Sequence, residues 1–214
     1  MKKFIFAFAL AVMTAFAANA QASLVQESNY ESFNAVNIAD DFVVKMYAAH
    51  KYSVKTIVDE RIAPFVESYV KNGSLYVYVN RKGFSPELKK QLKLKGAPVP
   101  VLEVEIYCPS IKSLTLSENA CLQLADPIAT PNFTLTVENK AKVNKINLDC
   151  ETAEVVVKKN GYANVDVNTS KTLYVTTENS SQAIVKHFGN AISLVSSGSS
   201  VQNVNTEVVN INVD

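Results

Sequence analysis

The chain has 214 residues, 48% of them hydrophobic, and a formal net charge of +1. That length allows one domain with a sizeable core, or two small ones. A nearly neutral chain lacks the positive excess with which nucleic-acid-binding proteins hold phosphates, so no nucleic-acid partner is predicted.

The first 20 residues have the pattern of a secretory signal peptide. Two lysines follow the initial Met, residues 4–16 are apolar, and residues 18–20 read Ala-Asn-Ala, a cleavage signal. The apolar run is too short to span a membrane as a helix. We therefore expect a mature chain that begins at Gln21, lacks a transmembrane segment, and is exported to the periplasm, the cell surface or the extracellular space.

A lead-in over residues 21–32 precedes a hairpin-rich part, residues 33–110, in which apolar and polar side chains alternate. This alternation has the period of half-buried strands. The predicted strands are residues 33–38, 42–48, 52–58 and 74–79. The dipeptide Asn72-Gly73 is a strong hairpin signal, so we predict that residues 65–71 pair with residues 74–80.

Residues 81–100 are predicted to be a short helical insertion. Ser85 can cap a helix with Pro86 in its first position, and Leu88 and Leu92 lie four residues apart. The segment is also the most basic in the chain, with Arg81, Lys82, Lys89, Lys90, Lys93 and Lys95. It either contacts an anionic surface polymer or a partner, or caps an open end of the β structure with its lysines in solvent, which we favour.

Residues 111–214 contain a repeat with a period near 20. Each repeat has an alternating strand, an Asn or Gly, small residues, and a second alternating strand. The Asn and Gly residues are Asn119, Asn139, Asn160, Asn179 and Gly198, at intervals of 20, 21, 19 and 19. Asn and Gly adopt left-handed backbone most readily, so these positions mark corners.

The repeat predicts a β-solenoid, in which successive coils stack their inward side chains. The inward pairs before the corners are Leu114 and Leu116, Leu135 and Val137, Val155 and Val157, Leu173 and Val175, and Ile192 and Leu194. Those after the corners are Leu122 and Leu124, Val143 and Ile146, Val165 and Val167, Ala183 and Val185, and Val201 and Val204. Residues 196–200, Ser-Ser-Gly-Ser-Ser, become a fifth corner rather than a linker. A β-sandwich with turns every 8–12 residues is the alternative.

The repeat also fixes where the three cysteines lie. Cys108 and Cys150 are predicted to point inward at similar places two coils apart, about 9–10 Å, which exceeds the roughly 7 Å reach of a disulfide. Cys121 is predicted to point outward. We therefore expect three free thiols, two of them serving as small core residues.

The N-terminal strands and the repeat together resemble a known family. The order F-x-x-V-x-I at 33–38, FVVKMY at 42–47, YSVKTIVDERIAPFVESYVKNGSLYVYV at 52–79, and then coils with Asn or Gly corners is similar to the GIN-domain head of auto-transporter adhesins. The resemblance covers about residues 30–214. It implies a single right-handed β-helix-like domain over residues 33–214, in an exported bacterial protein with an adhesion role, and it implies no catalytic residues.

The sequence offers no catalytic, cofactor-binding or metal-binding motif. His50 and His187 belong to no spaced set with the cysteines, and neither a G-x-S-x-G motif nor a glycine-rich phosphate loop is present. Three glutamates lie beside corners, Glu118, Glu138 and Glu178, but the repeat that binds calcium in other solenoids is absent.

The leading hypothesis is a non-enzymatic binding or adhesion domain of the cell envelope with an unidentified protein or polysaccharide ligand. Three outward tyrosines, Tyr107, Tyr162 and Tyr174, are candidates for a recognition surface, although tyrosine is also simply a good strand residue. The alternative is a carbohydrate-active enzyme, a polysaccharide lyase or glycosidase, on a short β-helix. Its outward candidates are Asp149, Lys158, Lys159 and Asp166. A third hypothesis is a homo-oligomer formed by end-to-end pairing of coils.

Overall fold

A computed structural model describes residues 10–12, 22–94, 99–197, 199–203 and 209–213. These residues form an all-β structure with one α-helix, α1 (Pro86–Leu92). The first nine strands are β1 (Leu10–Val12), β2 (Ser23–Tyr30), β3 (Ala35–Ile38), β4 (Val43–Ala48), β5 (Tyr52–Asp59), β6 (Val66–Lys71), β7 (Ser74–Val79), β8 (Leu102–Cys108) and β9 (Ser113–Leu116). The others are β10 (Cys121–Ala125), β11 (Ile128–Ala129), β12 (Asn132–Glu138), β13 (Lys142–Lys158), β14 (Tyr162–Glu178), β15 (Gln182–Ser197), β16 (Ser200–Asn203) and β17 (Val209–Val213).

The strands form two rows of laterally hydrogen-bonded neighbours, which we call the first rank and the second rank. The first rank runs β2-β5-β8-β4-β10, continues through the first halves of β13, β14 and β15, and ends at β16. The second runs β6-β7-β3-β9-β12, continues through the second halves of the same three strands, and ends at β17. Because β13, β14 and β15 pass through both ranks, the whole forms one 17-stranded sheet around a single apolar core.

Successive strands of the second rank pair in parallel with an offset close to the predicted period. Leu135 lies beside Leu114 and Val155 beside Leu135, and the same column continues through Val175 to Leu194. The offsets are 21, 20, 20 and 19 residues. The period read from the corner residues is therefore confirmed as the spacing between stacked strands.

Most corners are tight turns in which two consecutive residues have left-handed backbone. These residues are Glu118 and Asn119, Asn139 and Lys140, Lys159 and Asn160, and Asn179 and Ser180. In three of these corners, the N–H of the residue after the pair donates to the carbonyl oxygen three positions earlier, at a distance of 3.1 Å. Two left-handed residues inside such a hydrogen bond define a type I′ turn.

The four predicted corner asparagines all lie in these turns, but they occupy different positions within them. Asn119 and Asn160 occupy the second left-handed position, whereas Asn139 and Asn179 occupy the first. Asparagine tolerates left-handed backbone at either position, so its recurrence marks the turn without fixing which of the two positions it occupies. The predicted corner at Gly198 lies outside the described residues.

A small, buried residue follows each of these turns, as predicted. These residues are Ala120, Ala141, Gly161 and Ser181. Gly161 has the least space, because a Cβ atom there would lie 2.6 Å from the carbonyl oxygen of Val137 in the preceding coil. Close approach of neighbouring coils therefore requires small residues at this position.

The parallel stack begins in the N-terminal half of the chain. β3 pairs in parallel with β7 on one side and with β9 on the other, and β4 likewise lies between β8 and β10. The predicted hairpin of β6 and β7 is confirmed, with left-handed backbone at Asn72 and Gly73. β5 is antiparallel to both β2 and β8, and β1, which lies within the predicted signal peptide, pairs antiparallel with β2.

The described side chains that were predicted to point inward are buried, with one exception. Leu124 is 47% exposed, because the pairing of β10 with β4 shifts register between Leu122 and Leu124 and so breaks the alternation. The orientations predicted for Ile192, Leu194, Val201 and Val204 fall outside the described side chains.

All three cysteines are free thiols. Cys108 and Cys150 are buried, as predicted, and Cys121 is half-buried. β4 and β10 separate the strands of the two buried cysteines, so three inter-strand steps, roughly 14 Å, lie between them rather than two.

The helical insertion is confirmed over α1. The Ser85 side chain accepts a hydrogen bond from the Leu88 N–H at 3.1 Å, and Pro86 occupies the first turn. Leu88 and Leu92 pack against the core, and the buried Phe84 meets Phe65 edge to face at 4.9 Å. In the described part of the chain, no helix is long and apolar enough to cross a membrane.

Candidate functional site

Three tyrosines cluster on the outer surface of the β6–β7 hairpin. The hairpin register places Tyr69 directly opposite Tyr76, and their rings stack at 5.3 Å with an interplanar angle of 24°. Tyr78 approaches Tyr69 edge on at 6.2 Å. Their neighbours Leu75 and Val77 are fully buried, so the tyrosines point away from the core. We call Tyr69, Tyr76 and Tyr78 the tyrosine cluster.

A carboxylate fixes one edge of the cluster. Glu67 accepts hydrogen bonds from the Tyr78 hydroxyl and, at 2.7 Å, from the Asn80 side-chain amide. These two bonds hold the pKa of the Glu67 carboxyl below its ordinary value, and the bond to Glu67 raises the pKa of the Tyr78 hydroxyl. The cluster therefore presents aromatic rings beside a carboxyl group whose ionised form is favoured.

A cavity of about 620 Å³ opens next to the cluster, between the end of β2 and the strand β6. We call it the aromatic cleft. It is lined by Asn29, Tyr30, Glu31, Ser32, Ser68, Tyr69, Val70 and Gly73. The Tyr30 hydroxyl donates to the Ser68 carbonyl at 3.0 Å, and the Tyr30 ring lies edge on to the buried Phe33. Two tyrosines, Tyr30 and Tyr69, therefore line the cleft, and Tyr30 is held by a hydrogen bond and an aromatic contact.

The strand edge beside the cleft carries backbone groups that β7 does not use. The Asn80 N–H donates to the Phe65 carbonyl at 2.7 Å, so alternation directs the ladder bonds of Glu67 and Tyr69 toward β7. The backbone groups of Ser68 and Val70 then face the cleft. A ligand in the cleft would meet aromatic faces, a carboxylate and a partly open strand edge, which suits an extended molecule with polar and apolar parts.

The structure does not bring together the three tyrosines named from the sequence. Tyr107 lies on β8 in the first rank, where its ring stacks on Tyr47 at 5.1 Å and its hydroxyl donates to Glu105 at 2.8 Å. Burial and that hydrogen bond raise the pKa of Tyr107 to about 12. Tyr162 is several strands away in the same rank, and Tyr174 belongs to the second rank.

Sequence reasoning missed the tyrosine cluster, although the hairpin contains a signal for it. Asn72-Gly73 fixes the register of the hairpin, and that register pairs position 69 with position 76. Tyr76 and Tyr78 alternate with buried residues, so all three rings could be assigned to one face. The cleft itself could not be found this way, because β2 is distant in sequence.

The charged residues considered for catalysis each have a partner in the structure, and none of them pairs with another. Asp166 pairs with Lys145 at 3.1 Å, while Lys158 and Lys159 both pair with Glu138, at 3.5 and 3.7 Å. Asp149 accepts from the Asn168 amide at 3.3 Å. It lines a shallow 370 Å³ depression together with Glu151, whose carboxylate pairs with Lys171 at 2.6 Å.

The two histidines have different surroundings. His187 is buried, its Nε2 lies 2.7 Å from the Thr169 hydroxyl, and burial lowers the pKa of its imidazole. His50 is exposed in a turn. Across the described ranges, no three or more His, Cys, Asp or Glu side chains lie close enough to hold a metal ion.

Two ranks of mostly parallel strands around one core define an all-β protein with a repeated strand–turn–strand pattern. The family model described as "Putative auto-transporter adhesin, head GIN domain" matches residues 32–214. The chain therefore belongs to the GIN-domain family, and the resemblance read from the sequence is confirmed. No curated protein matches the chain.

Solved structures share this fold at low identity. A crystal structure of a "putative adhesin" from Bacteroides fragilis has a TM-score of 0.53 and 11% identity, over 86% of this chain and 98% of that one. A "Putative lipid binding protein" from Parabacteroides distasonis also has a TM-score of 0.53, with 10% identity over 89% of this chain and 96% of its own. At such identities the likeness shows the fold alone.

Proposed function

We propose that this protein is an exported, non-enzymatic binding domain of the bacterial cell envelope, of the adhesion type, and that its ligand enters the aromatic cleft. The observation that carries the proposal is the pairing of stacked, outward-facing tyrosines with a 620 Å³ cavity. Tyr69 belongs to both features, and its side chain is 38% exposed although it sits in a well-packed hairpin. Rigid aromatic side chains bind ligands at a low entropy cost.

Export and a single domain are part of the same proposal. The basic start, apolar run and Ala-Asn-Ala site of the first 20 residues support secretion, with the mature chain beginning at Gln21. Membership of an adhesin-head family supports a location at the envelope or outside the cell. The shared core supports one domain over residues 33–214.

A right-handed β-helix is the winding that we propose for the stack. The parallel offsets near 20 residues support coils of two strands each, closed by the type I′ corners. Connections between parallel neighbouring strands are right-handed in nearly all known cases. An experimental structure that showed left-handed coils would contradict this part of the proposal.

The cleft can be tested with a matched pair of tyrosine variants. We expect Tyr69→Ala to weaken binding at least about tenfold in a pull-down from envelope extracts and on a glycan array, because it removes a stacked ring and one wall of the cleft. Tyr174→Ala is the control, since Tyr174 is a similarly exposed tyrosine of the second rank outside the cleft. Equal losses for both variants, or no ligand on either platform, would contradict the proposal.

The enzyme hypothesis has a separate readout. A polysaccharide lyase or glycosidase would turn over at least one substrate in a panel of polysaccharides. Its activity would then fall when Asp149 is replaced by Asn, a change that keeps the side-chain shape and removes the charge. We expect no turnover of the panel by the wild-type protein, whereas turnover that is sensitive to this substitution would replace binding as the function.

A further inference from the structure

We propose that the region around α1 docks this protein onto an anionic lipid surface, a role distinct from ligand binding in the aromatic cleft. The region contains two sets of residues, none of which lines the aromatic cleft. One is a set of four exposed lysines, Lys82, Lys89, Lys90 and Lys93. The other is a set of exposed aliphatic side chains, Leu94, Val99 and Val101. We call these seven residues the basic–apolar patch.

Packing of the insertion determines which side chains reach solvent. Phe84 is buried, and Leu88 and Leu92 pack against the core, so these three apolar residues anchor the segment. Helical spacing then turns Lys89, Lys90 and Lys93 away from the core. The lysines are therefore held at the surface by a fixed backbone instead of by a flexible loop.

The positive charge of the segment is concentrated, and the part of it that the lysines carry is not neutralised by ion pairs. Residues 81–94 contain five basic and one acidic side chain, a formal charge of +4, whereas the rest of the chain from Gln21 carries −5. Arg81 pairs with Asp40 and Asp41, but none of the four lysines forms an ion pair within the described part of the chain. Such an asymmetry attracts an anionic surface to one side of the molecule.

The aliphatic residues favour lipid over a soluble polyanion. Leu94, Val99 and Val101 are 57%, 84% and 40% exposed, and they are three of the seven large hydrophobic side chains exposed in the described chain. An anionic polysaccharide would need the lysines alone. A bilayer interface takes up both groups, because aliphatic side chains enter the headgroup region while lysine ammonium groups meet lipid phosphates.

The proposal is tested by co-sedimentation of the protein, purified after secretory expression, with lipid vesicles. We expect partition onto phosphatidylcholine vesicles containing about 30% phosphatidylglycerol, no partition onto phosphatidylcholine alone, and weaker binding as salt increases. Lys89→Glu combined with Lys90→Glu should lower the partition coefficient about tenfold or more. Leu94→Ser combined with Val99→Ser should also lower it, with the charge unchanged.

A control variant separates the patch from the overall charge. Lys112→Glu combined with Lys142→Glu changes the net charge by the same amount at two exposed lysines on other parts of the chain, and it should bind as the wild type does. The proposal is overturned if this control loses as much binding as the Lys89 and Lys90 double variant, or if the wild type does not bind anionic vesicles. It is also overturned if the Leu94 and Val99 double variant retains full binding to the vesicles. The patch would then recognise negative charge alone, and it should bind the soluble polyanion heparin equally well.

Discussion

At the corners of the stack, residues that ordinarily avoid left-handed backbone adopt it next to an asparagine. Glu118, Lys140 and Lys159 all have φ between 53° and 69°. Such a conformation costs a side-chain-bearing residue roughly 1–2 kcal/mol. Hydrogen bonds between coils offset this cost, because the second left-handed residue of one turn donates to the first of the next, as from Asn119 to Asn139 at 3.2 Å.

Gly161 is the corner residue whose replacement should be most harmful. In Gly161→Ala the new Cβ would lie 2.6 Å from the Val137 carbonyl and 3.1 Å from the Lys158 carbonyl, both backbone atoms with little freedom to move. We expect a loss of about 1–3 kcal/mol in the free energy of unfolding, measured by urea denaturation. The equivalent small residue one coil earlier supplies the control: Ala141→Gly should cost only about 1 kcal/mol. Equal stability of Gly161→Ala and wild type would show that the coils are not in such close contact.

His187 should make stability depend on pH. Burial lowers the pKa of His187 in the folded protein, so the unfolded chain takes up a proton more readily than the folded one. The contribution of neutral His187 to the free energy of unfolding is therefore fully present above the unfolded pKa of about 6.5, and it is lost as the pH falls from there through the lower pKa of the folded state.

A pair of histidine variants isolates this contribution. Between about pH 7.5 and pH 5.5, the urea midpoint of His187→Gln should fall less than that of the wild type. Gln can still hydrogen-bond to Thr169, so the buried hydroxyl keeps a partner. His50→Gln, at the exposed histidine, should behave as the wild type, and a reduced pH dependence in that variant would assign the effect to the wrong histidine.

Among the elements, the turn after β7 is tied to the β3–β4 corner by one arginine. Arg81 Nε donates to Asp40 at 2.6 Å and its terminal nitrogen to Asp41 at 2.8 Å. Asp40 is almost fully buried and also accepts from the Val79 N–H at 2.8 Å. The contact joins a turn and a corner that are some 40 residues apart in sequence.

Removing this arginine should destabilise the protein through the charge that it leaves behind. Because Arg81→Gln leaves the buried Asp40 carboxylate without its cationic partner, we expect a loss of about 1–2 kcal/mol, reduced by the half-exposed position of Arg81. Combining it with Asp40→Asn should recover part of the loss, since the amide oxygen still accepts from Val79. A double variant no more stable than Arg81→Gln would contradict the pairing, as read from urea denaturation midpoints.

For the whole molecule, the position of β3 and β4 joins the two halves of the chain. Each of these strands pairs with a strand of the hairpin-rich part on one side and with a strand of the repeat on the other. The buried apolar residues form one continuous cluster. Separation of the halves would break the β3–β9 and β4–β10 pairings and expose that cluster.

We therefore expect the protein to unfold in a single cooperative transition. Seven of the nine tyrosines lie before residue 110, so tyrosine fluorescence follows mainly the N-terminal half, while far-ultraviolet circular dichroism follows all strands. The two signals should coincide in urea, and Val155→Ala, in the middle of the repeat, should shift both midpoints equally. Two separate transitions would indicate two independently folding units.

Local patterns in the sequence determined where the chain turns and which side chains face inward. Alternation identified Leu114, Leu135 and Val155 as core residues, and Asn72-Gly73 identified the hairpin. These features depend on the conformational preferences of single residues and on the period of a strand, both of which can be read within a few positions.

Only the tertiary structure decided which strands are neighbours. The insertion of β3 and β4 between strands that come later in sequence, the exposure of Leu124 at a register shift, and the meeting of Tyr30 with Ser68 all depend on pairing across long stretches of chain. Many strands share the same alternating pattern, so pattern alone cannot choose among their possible partners. The choice comes from burying one common core while pairing the backbone groups of most strands, and that is a property of the whole chain.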